Sequence, residues 1–422
     1  MLTRYISITL LYFFSSYGYA FDFNDVLNNF GEDTGRINPL ARIEKYQSAI
    51  RNLSQYPLLN PVIIDRVDRK KATKLFYNSS IKRFYNNDQD KLTGYEFLLR
   101  QLNLLPHDIS IKDYLENNYF DRVSGLYVAE IKKIILVHGA SYTNQSKAIL
   151  HELLHVAQDE KVDLIRLFQS FKTIDQQLSL LSVVEGQAEL LELIYRITQS
   201  NQLNNINTVL QTFFNKYIKF LESSPPLNNL SDLESFPSQH GLVFTTRQYL
   251  ESATAFENMF QQIPLSTEQV LHPLKFLSNE VPLKTYTSKE KLSDLLDDTK
   301  QLYSTTLGEF FIQLTLNHSL KKHPQANKQA SEGWGGDSIS VFQHNLGVFL
   351  IWDSLWDSIK DAKEFSAQFQ KLVQNNNLPK KFGQITAKDN KFYINRVKNR
   401  IIILSGNIPN SFLKPIARYT GL

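Results

Sequence analysis

Cysteine is absent from all 422 residues. That excludes disulfides, thiolate metal sites and a cysteine-linked lipid anchor. A chain without thiols also suits an oxidising compartment, where a stray thiol is a liability. A large charge of one sign is missing too. The 46 Lys and Arg nearly balance the 42 Asp and Glu, the formal charge is +4, and the basic residues are scattered. Such a chain carries no footprint for nucleic acid. After the first 20 residues there is no apolar run of membrane length. No internal repeat is evident.

What is present begins with an export signature. Arg4 supplies a positive charge, Tyr5 to Phe14 is mostly apolar, and Gly18-Tyr19-Ala20 is a small-x-small cleavage site. Residues 1–20 therefore read as a signal peptide. The expected mature protein starts near Phe21 and is soluble, with no membrane insertion, in the periplasm or outside the cell. A 42% hydrophobic content with 28 Phe and 20 Tyr supports a substantial core. About 400 mature residues allow one large or two to three ordinary domains. Asn-rich stretches at 201–205 and 375–377 read as loops.

The strongest chemical signal is His151-Glu152-Leu153-Leu154-His155. Residues four apart lie one above the other on a helix face, so His151 and His155 can share one zinc ion. Glu152 can then reach a zinc-bound water from beside the metal. Such a site needs a third protein ligand. Gln158 and Lys161 stand where a metzincin has Gly and a third ligand, which excludes that class. Asp159 lies one turn further on the same face, but three turns of one straight helix converge poorly on a tetrahedral ion. Glu185, on a second helix expected over 178–197, is the better ligand and completes a His2Glu site with one open position. Glu189, four residues on, is a candidate partner for the other ring N–H of His151 or His155. Gly186 is costly inside a helix, and a close approach of the two metal-bearing helices would explain it.

The rest of the chain reads as a mixture. Pro61 to Asp65 is a strand candidate, and 70–86 and 92–103 are helical. Gly125–Val128 and Lys132–His138 are strands joined tightly at Ala129-Glu130-Ile131. The second strand is expected to offer a free edge to an extended peptide. Ser146 is a candidate cap for the zinc helix. Residues 205–263 are helical and Phe-rich, Ser266 and Gln269 fit a capping box, and Pro273 ends that helix. A helix spans 307–320. Gly333-Trp334-Gly335-Gly336-Asp337 reads as a sharp turn, with Trp334 and Trp356 as core residues. Strands follow at 338–343 and 348–352, a helix at 361–374, and a hairpin of Lys391–Val397 with Arg400–Leu404 across Lys398-Asn399.

Several of these pieces coincide in order: Gly125-Leu126-Tyr127, the H-E-L-L-H followed by Gln158-Asp159, and Glu185-Gly186-x-Ala188-Glu189. Ser266 to Pro273, Gly333 to Asp337, and Trp356-Asp357 with Asp361-Ala362-x-Glu364-Phe365 come next. Together they resemble a secreted gluzincin-type family of peptidase MA-like proteins, found among bacterial and haloarchaeal surface proteins. Two departures stand out. Val128-Ala129 replaces the family's Asp-Pro, and Phe236-Pro237-Ser238 replaces its Phe-Pro-Tyr.

The resemblance implies an α+β, predominantly helical fold: a thermolysin-like zincin core with a small sheet next to the H-E-x-x-H helix. The expected divisions are an N-terminal arm over 21–60 and a catalytic core over 61–200. A helical part over 201–375 completes the cleft, and a hairpin extension fills 376–422. The expected activity is that of an exported Zn2+-dependent metallopeptidase acting on peptide or protein. His151, His155 and Glu185 hold the metal, and Glu152 is the general base. His272, placed in a recurrent motif by the resemblance, is the candidate oxyanion donor, with His240 a weaker one. The competing expectation is a surface or envelope binding protein that keeps the fold without turnover.

Overall fold

The computed structural model describes residues 39–420, except 55, 57, 77–87, 119–123, 140–141, 200–205, 231, 253, 255–257, 286–297, 376–379, 382–383 and 387–390. The expected signal peptide and the first part of the 21–60 arm lie outside the described residues. The architecture is α+β and mostly helical, as expected.

The rest of the arm is not an arm. Helix α1 (Ile43–Ser54) buries Tyr46, Ile50 and Ser54 at four-residue intervals, one stripe of a helix. That stripe packs on two long helices, α5 (Tyr142–Val162) and α7 (Ile174–Gln199). Beyond it Tyr56 is buried, and the Glu160 carboxylate accepts the backbone N–H groups of Leu59 and Asn60. The buried face of this segment, Tyr46, Ile50 and Tyr56, belongs to the core.

Among the described residues two sheets form. The smaller holds β1 (Ile63–Val67), β2 (Gly125–Val128) and β3 (Lys133–Val137) in the order β1-β3-β2. Ile134 to Val137 are all buried, the continuous apolar run of a strand covered on both faces. β3 pairs in parallel with β1 and antiparallel with β2. The expectation of a free edge on β3 is therefore corrected. β1, from earlier in the chain, occupies that edge, and the edge strand beside α5 is β2. Helix α2 (Arg69–Phe76) packs on β3, while α3 (Gln89–Gln101), which α4 (Ile111–Asn118) follows, packs on the second, larger sheet.

α5 begins at Tyr142, so Ser146 lies in its second turn, buried, and is not its cap. After the short α6 (Leu164–Ser170), α7 runs for 26 residues and is buried at nearly every position up to Ile194. A helix apolar on all sides needs neighbours on all sides. They include α5 and α9 (Asp232–Glu251), while α8 (Ile206–Ser223) packs outside. Gly186 does face a close helix approach, but the partner is α9 and not the other metal-bearing helix. A Cβ on Gly186 would lie 2.3 Å from the carbonyl oxygen of Gly241, and one on Gly241 would lie 2.2 Å from that of Ser182.

The short helices α10 (Thr267–Leu271) and α11 (Pro273–Leu277) follow. Ser266 caps α10 through the Gln269 N–H, and Gln269 reaches back to the N–H of Leu265. The second sheet has seven strands: β4 (Lys300–Thr305), β5 (Trp334–His344), β6 (Gly347–Trp356), β7 (Lys380–Lys381), β8 (Gln384–Thr386), β9 (Lys391–Val397) and β10 (Arg400–Gly406). Their order is β4-β5-β6-β10-β9-β8-β7, antiparallel throughout. Helices α12 (Gly308–Ser319), α13 (Pro324–Ser331) and α14 (Ile359–Asn375) pack with it, and α15 (Asn410–Thr420) ends the chain.

Two expected divisions are corrected here. Residues 201–375 are not simply helical, because they carry β4 to β6. The β9–β10 hairpin forms across Lys398-Asn399 as expected, yet it is no extension. β10 pairs with β6 in the middle of the sheet, and Arg400 bonds both oxygens of the fully buried Asp353. Likewise Gly333 to Asp337 is mostly strand. Gly336 is glycine because the backbone of Leu283 lies across it, 2.1 Å from where a Cβ would stand.

The glycine contact between α7 and α9 gives a sign test. Gly→Ala in a free helix stabilises by about 1 kcal/mol. Gly241→Ala is expected to reverse that sign and destabilise by roughly 1–3 kcal/mol, since backbone cannot yield as a side-chain tip does. Denaturant titration measures it, and a stabilised Gly241→Ala protein would show that the helices do not touch here.

Candidate metal centre

The helical spacing of α5 and the position of α7 bring three donors together. His151 Nε2 lies 3.2 Å from Glu185 Oε2, and His155 Nε2 lies 3.6 Å from the same oxygen. All three ligand atoms fall within 4.8 Å of one another. A tetrahedral zinc with bonds near 2.1 Å separates its ligands by about 3.4 Å. The two histidine–glutamate distances match that edge. The donor set, two imidazoles and a carboxylate, is also that of known catalytic zinc sites. These residues fit a zinc ion.

The site is deeply buried: His151 is 4% exposed, His155 1%, Glu185 2% and Glu152 1%. Burial opposes the charge on Glu185, but the adjoining His155 and His151 outweigh it and hold its carboxyl at about 2. For His151, burial again opposes charge, and the hydrogen bond and charge of Glu185 overcome it, raising its pKa to about 10. The two opposite shifts favour a charged pair at this buried contact.

Glu152 points back to the small sheet. Its Oε2 accepts the backbone N–H of Tyr127 on β2 at 2.7 Å. Desolvation raises its pKa, partly offset by the two histidines. The Tyr127 hydroxyl donates to Asp159 Oδ2 at 2.5 Å, Lys132 also bonds that oxygen, and the Leu164 N–H bonds Oδ1. Asp159 thus ties α5 to the β2–β3 turn and is not a ligand.

The second ring nitrogens follow a different plan from the expected one. His155 Nδ1 lies 2.8 Å from Gln158 Oε1, one turn along its own helix. His151 Nδ1 is buried with no hydrogen-bond partner among the described residues. Glu189 is therefore corrected as the outer partner. One turn past Glu185, it is half-buried and shares its surroundings with Glu192 and Arg196. Burial raises its carboxyl to about 7 against the pull of His151. Gln158 escaped the sequence reading, although an amide three residues after a ligand on the same helix was the available signal.

His272 is not brought to the metal ligands. Its Nε2 lies 2.9 and 3.0 Å from the two oxygens of buried Glu309, a contact that raises its pKa. This pair belongs with α10, which packs on the N-terminal end of α7. There Asp175 Oδ1 accepts from the Thr267 N–H and hydroxyl. Ten helical residues separate Asp175 from Glu185, about 15 Å. His240 stacks on Phe236, and burial lowers its pKa to about 4. Asp337 accepts both the Trp334 and Trp352 indole N–H groups and the Leu307 and Gly308 amides. Its role is to fix β5 against α12, and Trp334 and Trp356 are fully buried core, as expected. Another acidic group, Glu268, Glu280 and Asp357, surrounds the Lys275 ammonium at 2.7 to 2.8 Å, which already supplies its cation.

With the geometry in place, comparison with known proteins adds one match. The model of a family described as a domain of unknown function (DUF8575) matches residues 297–413. That is under a third of the chain and corresponds to the seven-stranded sheet with its helices; the metal ligands precede it. No curated protein and no solved structure matches the chain.

Asp175 yields a pH prediction. Burial pushes its carboxyl up to about 8 despite its bonds to Thr267, with Asp337 and Glu309 nearby. A carboxyl whose pKa is higher folded than unfolded holds its proton more tightly in the folded protein. Its stabilising contribution is thus complete below about 4 and is lost as pH rises to about 8. Asp175→Asn, which keeps the accepting oxygen, is expected to flatten the decline in stability between pH 5 and 8, as followed by thermal denaturation at each pH. An unchanged slope would remove Asp175 as its source.

Proposed function

We propose that the chain is an exported zinc-dependent hydrolase of the gluzincin type that cleaves peptide bonds, with His151, His155 and Glu185 as metal ligands. The observation that carries the reading is the convergence of two Nε2 atoms and one carboxylate oxygen at zinc-like spacing, with the Glu152 carboxylate on the residue after the first ligand. The sequence resemblance to secreted gluzincin-type proteins supports it, and a thermolysin-like core belongs to the same proposal. Among the described residues no helix is long and apolar enough to cross a membrane.

Zinc bound in this donor set would supply Lewis acidity and a bound water acidified toward neutrality. The protein supplies the proton path. Glu152, with its pKa raised by burial, is suited to take a proton from the attacking water and deliver it to the leaving amine. The Tyr127 N–H orients the carboxylate while leaving its other oxygen for that exchange. Glu185 would neutralise part of the charge of a bound metal. His272, held by Glu309, is not assigned a part.

A second reading has its own support. All four residues are nearly inaccessible, which favours a metal-holding binding protein without turnover. One experiment separates the two. The purified protein is expected to carry about one zinc per chain, lost in His151→Ala. Glu152→Gln is expected to keep the zinc while cleavage of a peptide library falls roughly 100-fold or more. Equal cleavage by both proteins would refute catalysis here, and zinc retention with no cleavage by the wild type would establish the binding reading.

A further inference from the structure

The buried amides behind the metal ligands form a directional chain. Gln158 Nε2 lies 3.0 Å from the backbone carbonyl of Val184 and 2.9 Å from Gln187 Oε1. A backbone carbonyl only accepts, so the amide end beside Val184 is the NH2 group. Both of its N–H bonds are thereby used. The opposite end, Oε1, is left 2.8 Å from His155 Nδ1. An amide oxygen also only accepts, so Nδ1 carries the ring proton. In the neutral ring, the form that binds metal, Nε2, the nitrogen facing Glu185, then holds the lone pair.

Gln187 is fixed in the same sense. Its oxygen accepts from Gln158, and its Nε2 lies 3.1 Å from the hydroxyl of Tyr56. Gln158 and Gln187 are fully buried and Tyr56 is 1% exposed, so water does not compete for these bonds. Rotating the Gln158 amide would set its oxygen against the Val184 carbonyl and the Gln187 oxygen together. The chain starts in the segment after α1, crosses α7 and ends on an α5 ligand.

We infer that Gln158 is a positioning residue that fixes the tautomer and ring orientation of His155 for metal binding, and that Gln187, anchored by Tyr56, holds the Gln158 amide in that sense. The inference rests on the zinc reading above and goes beyond it: it makes the 43–60 segment part of the metal site. A histidine ligand whose outer N–H is held binds metal more tightly, and loss of such a partner typically costs 10–100-fold in affinity. His151, whose Nδ1 has no partner among the described residues, gains no such support.

The test measures zinc affinity of the full chain by chelator competition, together with the His155 ring N–H signal of the zinc-loaded protein by NMR. Wild type is expected to show a slowly exchanging Nδ1 proton. Gln158→Leu, close in size, is expected to lose that signal and to bind zinc roughly 10–100-fold more weakly. Gln187→Leu frees one Gln158 N–H and is expected to weaken binding several-fold. Gln187→Glu, whose oxygens still accept from Gln158 and from the Tyr56 hydroxyl, is expected to stay close to wild type. Tyr56→Phe removes a single hydroxyl and serves where Gln158→Leu fails to fold; a slower Nδ1 exchange than in wild type, or none changed, overturns the relay. A Gln158→Leu protein that keeps both affinity and signal overturns the tautomer role while leaving the zinc site standing. A Gln187→Leu protein as tight as wild type overturns the part given to Gln187. A wild type that binds no zinc removes the proposed function itself, and this inference with it.

Discussion

The rotation of α7 about its axis is the constraint on which the site depends. Successive helix residues point about 100° apart. Glu185 must meet the histidines of α5, Gly186 must meet the backbone of α9, and Gln187 must meet Gln158 and Tyr56. Three consecutive residues thus serve three neighbours. A helix with a solvated face could turn a little at small cost. α7 has almost no such face, so a change of rotation would break all three contacts at once. The pair Gly186 and Gly241 lets α9 press to backbone contact and makes this setting rigid.

That rigidity matters because the site holds charge out of water. A lone buried carboxylate is expensive, and so is a lone buried imidazolium. Placed 3.2 Å apart, Glu185 and His151 offset each other's cost, which is why one pKa falls and the other rises. The same arrangement suits a cation better than a proton. A zinc ion would satisfy both histidines and the carboxylate together, whereas a proton joins only two of them. Zinc bound there would displace any proton shared by His151 and Glu185, as metal binding by histidine generally does.

Much of this was legible in the sequence, for local reasons. The H-E-x-x-H spacing is a property of one helix, and the return of Glu185 follows from the interval between two helices. β2 and the β9–β10 hairpin could be placed to within a couple of residues because alternating Val, Ile and Tyr bracket short turns. What escaped was set by distant neighbours. β1 beside β3 and Leu283 across Gly336 leave no mark at the positions they affect, and Gly186 marks a close approach without telling that α9 is its partner. Glu189 fits the face rule as well as Glu185 does. The choice of Gln158 as the outer partner of His155 depended on which side chain the packing turned toward the ring.

The seven-stranded sheet has a mechanical part in holding the site. The first N–H groups of a helix have no partner within it. In α7 they are met from far along the chain. The Ile174 N–H donates to the Thr305 hydroxyl at the end of β4, and the Asp175 N–H donates to the Thr306 carbonyl. The Asp175 carboxyl in turn bonds Thr267 on α10. At the other end, Lys45 on α1 bonds Gln199. α7 is therefore capped by the domain matched at 297–413 and braced by the N-terminal segment, with Glu185 between the two. The proposed metal ligands precede that domain in sequence, yet the helix that carries Glu185 takes capping bonds from it. The seven-stranded sheet thus helps to fix the helix that carries Glu185.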